Sequence, residues 1–294
     1  MLERYGLEDE LEELNPELFD TYWKFVEKYK TVREEFCMRY EDSDENSFTH
    51  ARRIMRNADR LIDHCLYDLN DDEIFVFLLA CLFAGSGMDD DKEYEEMDLD
   101  KILADDHLRD DPINKILQMI YKFHFEFGTA VGERCQPLIM ELSADHVRAI
   151  GRLVKINNKR DLYNEKLLPR DYKLSNGNEI HLQYLGPVLF FAANMDNNTE
   201  LAKYSRESVL EYDKFTQEYL DSLKLIDFIK IRNHSIDLLM REIPKDNLGF
   251  TFYVQQLKDD LVTTKELIES NPGFYMRQNK INIVDLNNLD TKIF

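Results

Sequence analysis

The stretch Phe77–Asp91, FLLACLFAGSGMDDD, decides the fold of this chain. It extends an apolar run that starts at Ile74 and stops at two small residues, Ala84 and Gly85. Asn70 followed by Glu73 has the spacing of a helix start in which each side chain satisfies the other's free backbone amide, with Asn in place of the usual Ser or Thr. The helix so opened, Ile74 to Phe83, is apolar nearly all round, and a helix without a polar face belongs in the middle of a bundle. Its carboxyl end, at Ala84 and Gly85, is expected to open into whatever cavity the bundle encloses.

Outward from this helix the texture stays helical. Leu18, Tyr22, Phe25, Val26 and Tyr29 recur at three and four residues, as do Ile54, Ala58, Leu61, Ile62 and Cys65, so each set forms one apolar stripe. Asp89 to Asp111 is poor in apolar residues and rich in acidic pairs, which predicts an acidic surface excursion over about 89–111. It lacks the alternating ligands and central Gly of a helix-loop-helix calcium site. Helices are expected again at Ile113 to Phe127, at Ser143 to Asn157 with Ser143 as cap, and at Tyr184 to Met195. A long helix from about Arg206 carries Tyr212, Phe215, Tyr219, Leu223 and Ile226 on one face. Beyond it, Phe228 to Met240 contains β-capable pieces and Leu257 to Ser270 reads as a helix. Gly273–Arg277 is expected to pair with Lys280–Val284 as a hairpin. The fold class is therefore mainly α, a helical domain over residues 1–224 with a small mixed α/β appendage at 225–294.

Composition narrows the function classes. The 294 residues include 44% hydrophobic side chains, enough for a substantial core, and 58 Asp plus Glu against 37 Lys plus Arg give a formal charge of −21. That balance opposes non-specific binding to nucleic acid and to anionic membranes, and it favours a basic partner or a cationic cofactor. The four cysteines have no CxxC spacing and read as reduced thiols of a cytoplasmic protein; no apolar signal region or membrane-length stretch is present. Phosphate-loop, dinucleotide, zinc-helix and nucleophile-elbow motifs are absent, and the seven histidines are dispersed. Ala84–Gly87 is flexible enough to cradle phosphate, but it ends a helix, where the dipole opposes an anion.

From Phe48 to Met88 the chain reads FTHARRIMRNADRLIDHCLYDLNDDEIFVFLLACLFAGSGM. This resembles the opening of the HD superfamily of helical metal-dependent phosphohydrolases, and within it the HD-CE-type branch. In that pattern a His early in one helix is followed by an apolar run ending in LHDIGM. His50 matches the first ligand, and Phe83–Met88 occupies the second motif with only Gly87 and Met88 kept. Ile120–Glu126 looks like the segment of paired histidines, of which His124 survives beside Phe125. His146–Leu162 resembles the helix ending in a further histidine pair, replaced here by Asn157 and Asn158. Tyr184–Asp196 resembles LxxLLRLADALD; Ala193 falls at the metal-binding Asp, Asp196 matches the second Asp, and a slip of one residue brings in Asn194. The resemblance spans roughly residues 18 to 200.

In an HD site the ligands hold one or two divalent ions that polarise a phosphoryl oxygen and lower the pKa of a bound water. Ala84 and Gly85 remove an imidazole and the bridging carboxylate, and Ala193 removes the final carboxylate, so of the core set only His50 remains. The resemblance therefore implies no catalytic residue, no bound metal and no cofactor. It implies a pseudoenzyme whose remnant cavity is lined by His50, Ala84, Gly85, His124, Asn157, Asn158, Asn194 and Asp196. Members of this branch often occur beside or fused to GHKL-type ATPase domains in bacterial conflict systems, so the pseudoenzyme is expected to bind a protein, a GHKL-type ATPase or a basic protein, or a small ligand. Two alternatives stand beside this one. A divergent phosphohydrolase acting on a nucleotide would recruit a divalent metal through Asp89–Asp91, Asp105 or His107, and an acidic surface could imitate nucleic acid in a basic groove.

Overall fold

A computed structural model describes residues 4–37, 46–63, 68–84, 130–156, 158–204, 214–287 and 291–293. The chain divides into two compact units. The first takes Met1–Met88, His124–Asn194 and Thr263–Arg277; the second takes Asp89–Phe123, Met195–Val262 and Gln278–Phe294.

The first unit is the helical one. It opens with α1 (Gly6–Leu14), α2 (Pro16–Cys37), α3 (Asn46–Asp63) and α4 (Asp71–Ala84). Pro16 sits at the first position of α2, where its missing N–H costs nothing, and the Asn15 side chain accepts the Leu18 N–H at 3.1 Å. The same Asn15 donates through Nδ2 to Asp71 Oδ2 at 2.7 Å, which ties the start of α2 to the start of α4. Every residue from Ile74 to Phe83 is buried, so the helix without a polar face is the core of the unit. It packs against α1, α2, α3, the later helix α5 (Ala144–Val154) and the short strand Glu179–Ile180. The stripes read from the sequence face it: Tyr22, Phe25, Val26, Tyr29, Ile54, Ala58 and Leu61 are all buried.

Residues 130–141 are helical, with Val131 and Cys135 buried. Ser143 caps α5 by accepting the His146 N–H at 3.1 Å, as the sequence leads one to expect, but the helix ends at Val154 rather than running to Asn157. A two-stranded ribbon, β1 (Tyr172–Lys173) and β2 (Glu179–Ile180), turns through Gly177, whose φ of +94° suits the absence of a side chain. Then α6 runs from Leu182 to Tyr204, well beyond the expected Met195. A Cβ on Gly186 would lie 2.8 Å from Leu168 Cδ1, so the loop before the ribbon packs onto the backbone of α6.

The second unit carries α7 (Lys214–Lys224) and a four-stranded sheet ordered β3-β4-β5-β6. β3 (Ile226–Ile231) and β4 (Ile236–Met240) form an antiparallel hairpin, and β6 (Thr291–Ile293) pairs antiparallel with β5 (Ile281–Asp285). β4 and β5 are parallel, Ile236 opposite Ile281 through Met240 opposite Asp285. Parallel neighbours need a long crossover, and α8 (Leu248–Glu269) lies within it. Asn247 caps α8 by accepting the Phe250 N–H at 2.7 Å. The last residues of α8 and the chain to Arg277 group with the first unit, where Phe274 and Met276 are buried.

Two expectations are corrected here. Ile226 opens β3 instead of closing the preceding helix, because its partner Met240 draws it into a ladder. Gly273–Arg277 forms no strand: the Phe274 ring packs 4.7 Å from Tyr184 and 5.1 Å from His181, while Lys280–Val284 gives its backbone to β4. The fold is nonetheless mainly helical with a small sheet towards the carboxyl terminus. Among the described residues no helix is long and apolar enough to cross a membrane.

Candidate functional site

The two ends of α4 differ sharply. At its carboxyl end Phe83 is buried, its ring edge-on to Phe25 at 5.9 Å, and Ala84 is the last helical residue and is partly exposed. The neighbouring helices are placed by Asn57 of α3, whose Nδ2 donates to the Ala192 carbonyl of α6 at 3.4 Å. His50 lies seven residues before Asn57 in α3, with its side chain outside the described residues. On α6, Asn194 is half-buried and Asp196 buried, both engaged by neighbours; Asn194 belongs to the first unit and Asp196 to the second. Asn158 is exposed and builds a turn: it donates its N–H to Asp161 Oδ2 at 3.0 Å, and its Oδ1 accepts the Arg160 N–H at 2.9 Å. Gly85, His124 and Asn157 lie outside the described residues, as do Asp89–Asp91, Asp105 and His107.

Of the described members of this set, only Asp196 carries a carboxylate. Ala84 and Ala193 bring methyl groups where a ligand needs lone pairs, and Asn194 brings a neutral amide. Among the described residues no group of three or more His, Cys, Asp or Glu is arranged to hold a metal. Cys81 and Cys135 are buried free thiols; burial pushes both up, Cys135 to about 12, which leaves them inert as metal ligands or nucleophiles.

Ionisable groups gather instead at the amino end of α4, where sequence reading did not place them. Glu73, fully buried, accepts from the Asn70 N–H at 3.0 Å and Asn70 Nδ2 at 2.9 Å, completing the expected box. Its other oxygen takes the His181 N–H at 2.9 Å and His181 Nδ1 at 2.7 Å. Asp72 lies 2.6 Å from His146 Nε2 and accepts from Asn176 Nδ2 at 2.8 Å and Asn178 Nδ2 at 2.7 Å. Burial works to raise the Asp72 carboxyl, but the hydrogen bonds from His146, Asn176 and Asn178 outweigh it and hold the group at about 2. Negative charge is also favoured there by the helix dipole. Each carboxylate is enclosed by donors, so this constellation closes the end of a helix. The sequence signals for it are the Asn70 and Glu73 spacing of a helix start and an adjacent acidic pair before an otherwise apolar run.

A third network fastens α1 to α3. Arg52 Nη2 donates to Glu8 Oε2 at 3.0 Å and Nη1 donates to Oε1, while Tyr22 Oη donates to Glu8 Oε1 at 2.5 Å. Burial disfavours the Arg52 charge, and the bidentate bond to Glu8 more than restores it; burial and the Glu8 charge together push the Tyr22 hydroxyl well up. The Leu7 N–H is taken by Asp59 Oδ1 at 2.7 Å.

This geometry, an apolar helix packed against α1, α2, α3 and α5, stands beside a family comparison. The HD-CE family model matches residues 39–204, more than half of the chain. The chain belongs to the HD-CE family. No curated protein and no solved structure matches it. The HD-CE match takes in α3, α4, α5 and α6, so it contains both ends of the central helix, and it begins just after α2 and ends with α6.

Proposed function

We propose that this HD-CE chain is a catalytically inert scaffold that acts by binding a protein partner. The observation that carries the reading is the run of substitutions at the HD motif positions: Ala84 and Gly85 for His-Asp, Asn157–Asn158 for a histidine pair, and Ala193 for the closing Asp. Loss of a second-shell group alone weakens metal affinity about 10- to 100-fold, and these are first-shell positions. An apolar framework with α4 buried from Asp72 to Phe83 is what a scaffold that acts by its shape requires. A GHKL-type ATPase is the partner that the HD-CE resemblance implies, and the acidic balance of the chain supports a basic contact surface on that partner.

The test is elemental analysis of the full chain purified without chelator, joined to turnover assays on nucleotides with manganese, nickel or cobalt. The scaffold reading expects less than about 0.1 equivalent of any transition metal and no turnover. A stoichiometric metal, or hydrolysis abolished by His50→Ala, would overturn it and restore the phosphohydrolase.

A further inference from the structure

We propose that α5 and the loop after it, Arg148 to Lys173, form a surface that binds single-stranded nucleic acid. Between these two residues stand eight Lys or Arg against three Asp or Glu, a local excess of positive charge in a chain of formal charge −21. The loop folds back on α5 through Arg152. Arg152 Nη1 donates to the Leu167 carbonyl at 3.1 Å and also to the Lys166 carbonyl, and its guanidinium lies 5.7 Å from the Tyr172 ring centroid. Arg148 is one turn earlier on the same face, with Asp145 at 3.3 Å, and Lys173 follows Tyr172 in β1.

The side chains of Arg160, Lys166, Arg170 and Lys173 are exposed, and none has an ion-pair partner among the described residues. The acids nearby are partly occupied: Asp161 takes the Asn158 N–H, and Asp145 takes Ser175 as well as Arg148. Two features favour a nucleic acid over an acidic protein. Four of the eight cations are arginines, whose planar fork matches a phosphodiester. Tyr163, 61% exposed, stands in the same loop as a face on which an unpaired base can stack. A paired duplex hides those base faces, so the single strand is the better fit.

The chain's overall negative charge opposes this contact only at long range. The screening length is about 8 Å at physiological salt and about 30 Å at 0.01 M, so repulsion from distant acids is felt mainly in dilute salt. Counterion release weakens any such complex as salt rises, with a slope of roughly 0.7 per phosphate contacted on a single strand. Binding should therefore be strongest near 0.1 M salt and fall on either side.

The experiment is fluorescence anisotropy of the full chain with labelled oligo(dT) and oligo(U) of about 20 nucleotides, titrated across sodium chloride. The comparison proteins are a fourfold variant, Arg160→Glu, Lys166→Glu, Arg170→Glu and Lys173→Glu, and the single Tyr163→Ala, each checked for folding by circular dichroism. Expected are a salt optimum, a loss of at least about 30-fold in the fourfold variant, and about 5-fold loss in Tyr163→Ala with an unchanged salt slope. No binding at any salt overturns the proposal, as does full affinity in the folded fourfold variant. Equal affinity for a labelled poly-glutamate peptide overturns it too, since the surface would then read charge alone.

Discussion

Replacing Glu8 by Gln tests whether the network between α1 and α3 is as dry as its geometry implies. The Glu8 carboxylate is fully buried and takes four hydrogen bonds: two from Arg52, one from Tyr22 Oη, and the Tyr5 N–H at 3.0 Å. Arg52 is 8% exposed, and its guanidinium lies 4.3 Å from the Tyr5 ring centroid. Glu8→Gln removes the negative charge and turns one oxygen into a donor facing other donors, leaving the arginine buried and uncompensated. Breaking a buried pair in this way costs about 3–5 kcal/mol, a large share of the roughly 5–15 kcal/mol that holds a domain. Removing both charges, Glu8→Leu with Arg52→Met, eliminates that penalty and leaves mainly the Tyr22 hydroxyl without its acceptor, about 1–3 kcal/mol. Urea unfolding followed by far-ultraviolet circular dichroism should therefore show the double variant more stable than Glu8→Gln by about 1–3 kcal/mol. A cost below about 1 kcal/mol for Glu8→Gln, or simple additivity of the single changes, would show that water reaches the pair and refute the reasoning.

Asp72 and Gly249 give two further expectations. Because the native Asp72 carboxyl is held at about 2, below its ordinary 3.8, its contribution is complete above about pH 4 and is lost as pH falls through 2. Asp72→Asn should cost about 1–2 kcal/mol at neutral pH and flatten the acid limb of a stability–pH curve; an unchanged limb would show that the His146–Asp72 contact contributes nothing. A Cβ on Gly249 would lie 2.2 Å from the backbone nitrogen of Tyr219, so Gly249→Ala must push α7 and α8 apart. It should destabilise by about 1–3 kcal/mol despite the better helix propensity of Ala, and a thermal midpoint equal to or above the parent's would disprove the close approach.

How much of this was legible in the sequence follows from the range of the forces involved. The central helix was readable almost to the residue, Ile74–Phe83 against Asp71–Ala84, because a polar box and an unbroken apolar run are both local. The Ser143 cap was readable for the same reason. The sheet was not: β-capable segments pair with whatever strand is free, and only the crossover through α8 makes β5 parallel to β4 instead of antiparallel to Gly273–Arg277. The candidate site divides along the same line. Absence of ligands at Ala84, Gly85 and Ala193 is a property of residue identity and could be read directly. The enclosure of Asp72 by His146, Asn176 and Asn178 joins positions 74 to 106 residues apart, which no spacing rule anticipates.

The sequence by itself therefore determined the class of the fold, its buried central helix and the family, since side-chain identity and short-range periodicity carry all three. The tertiary structure decided where charge is spent. It buried Glu8 against Arg52 and closed the amino end of α4 with two histidines. It also tied the loop after α5 back to that helix through Arg152. Those outcomes depend on which distant groups meet once water is excluded, and a linear pattern holds no record of that.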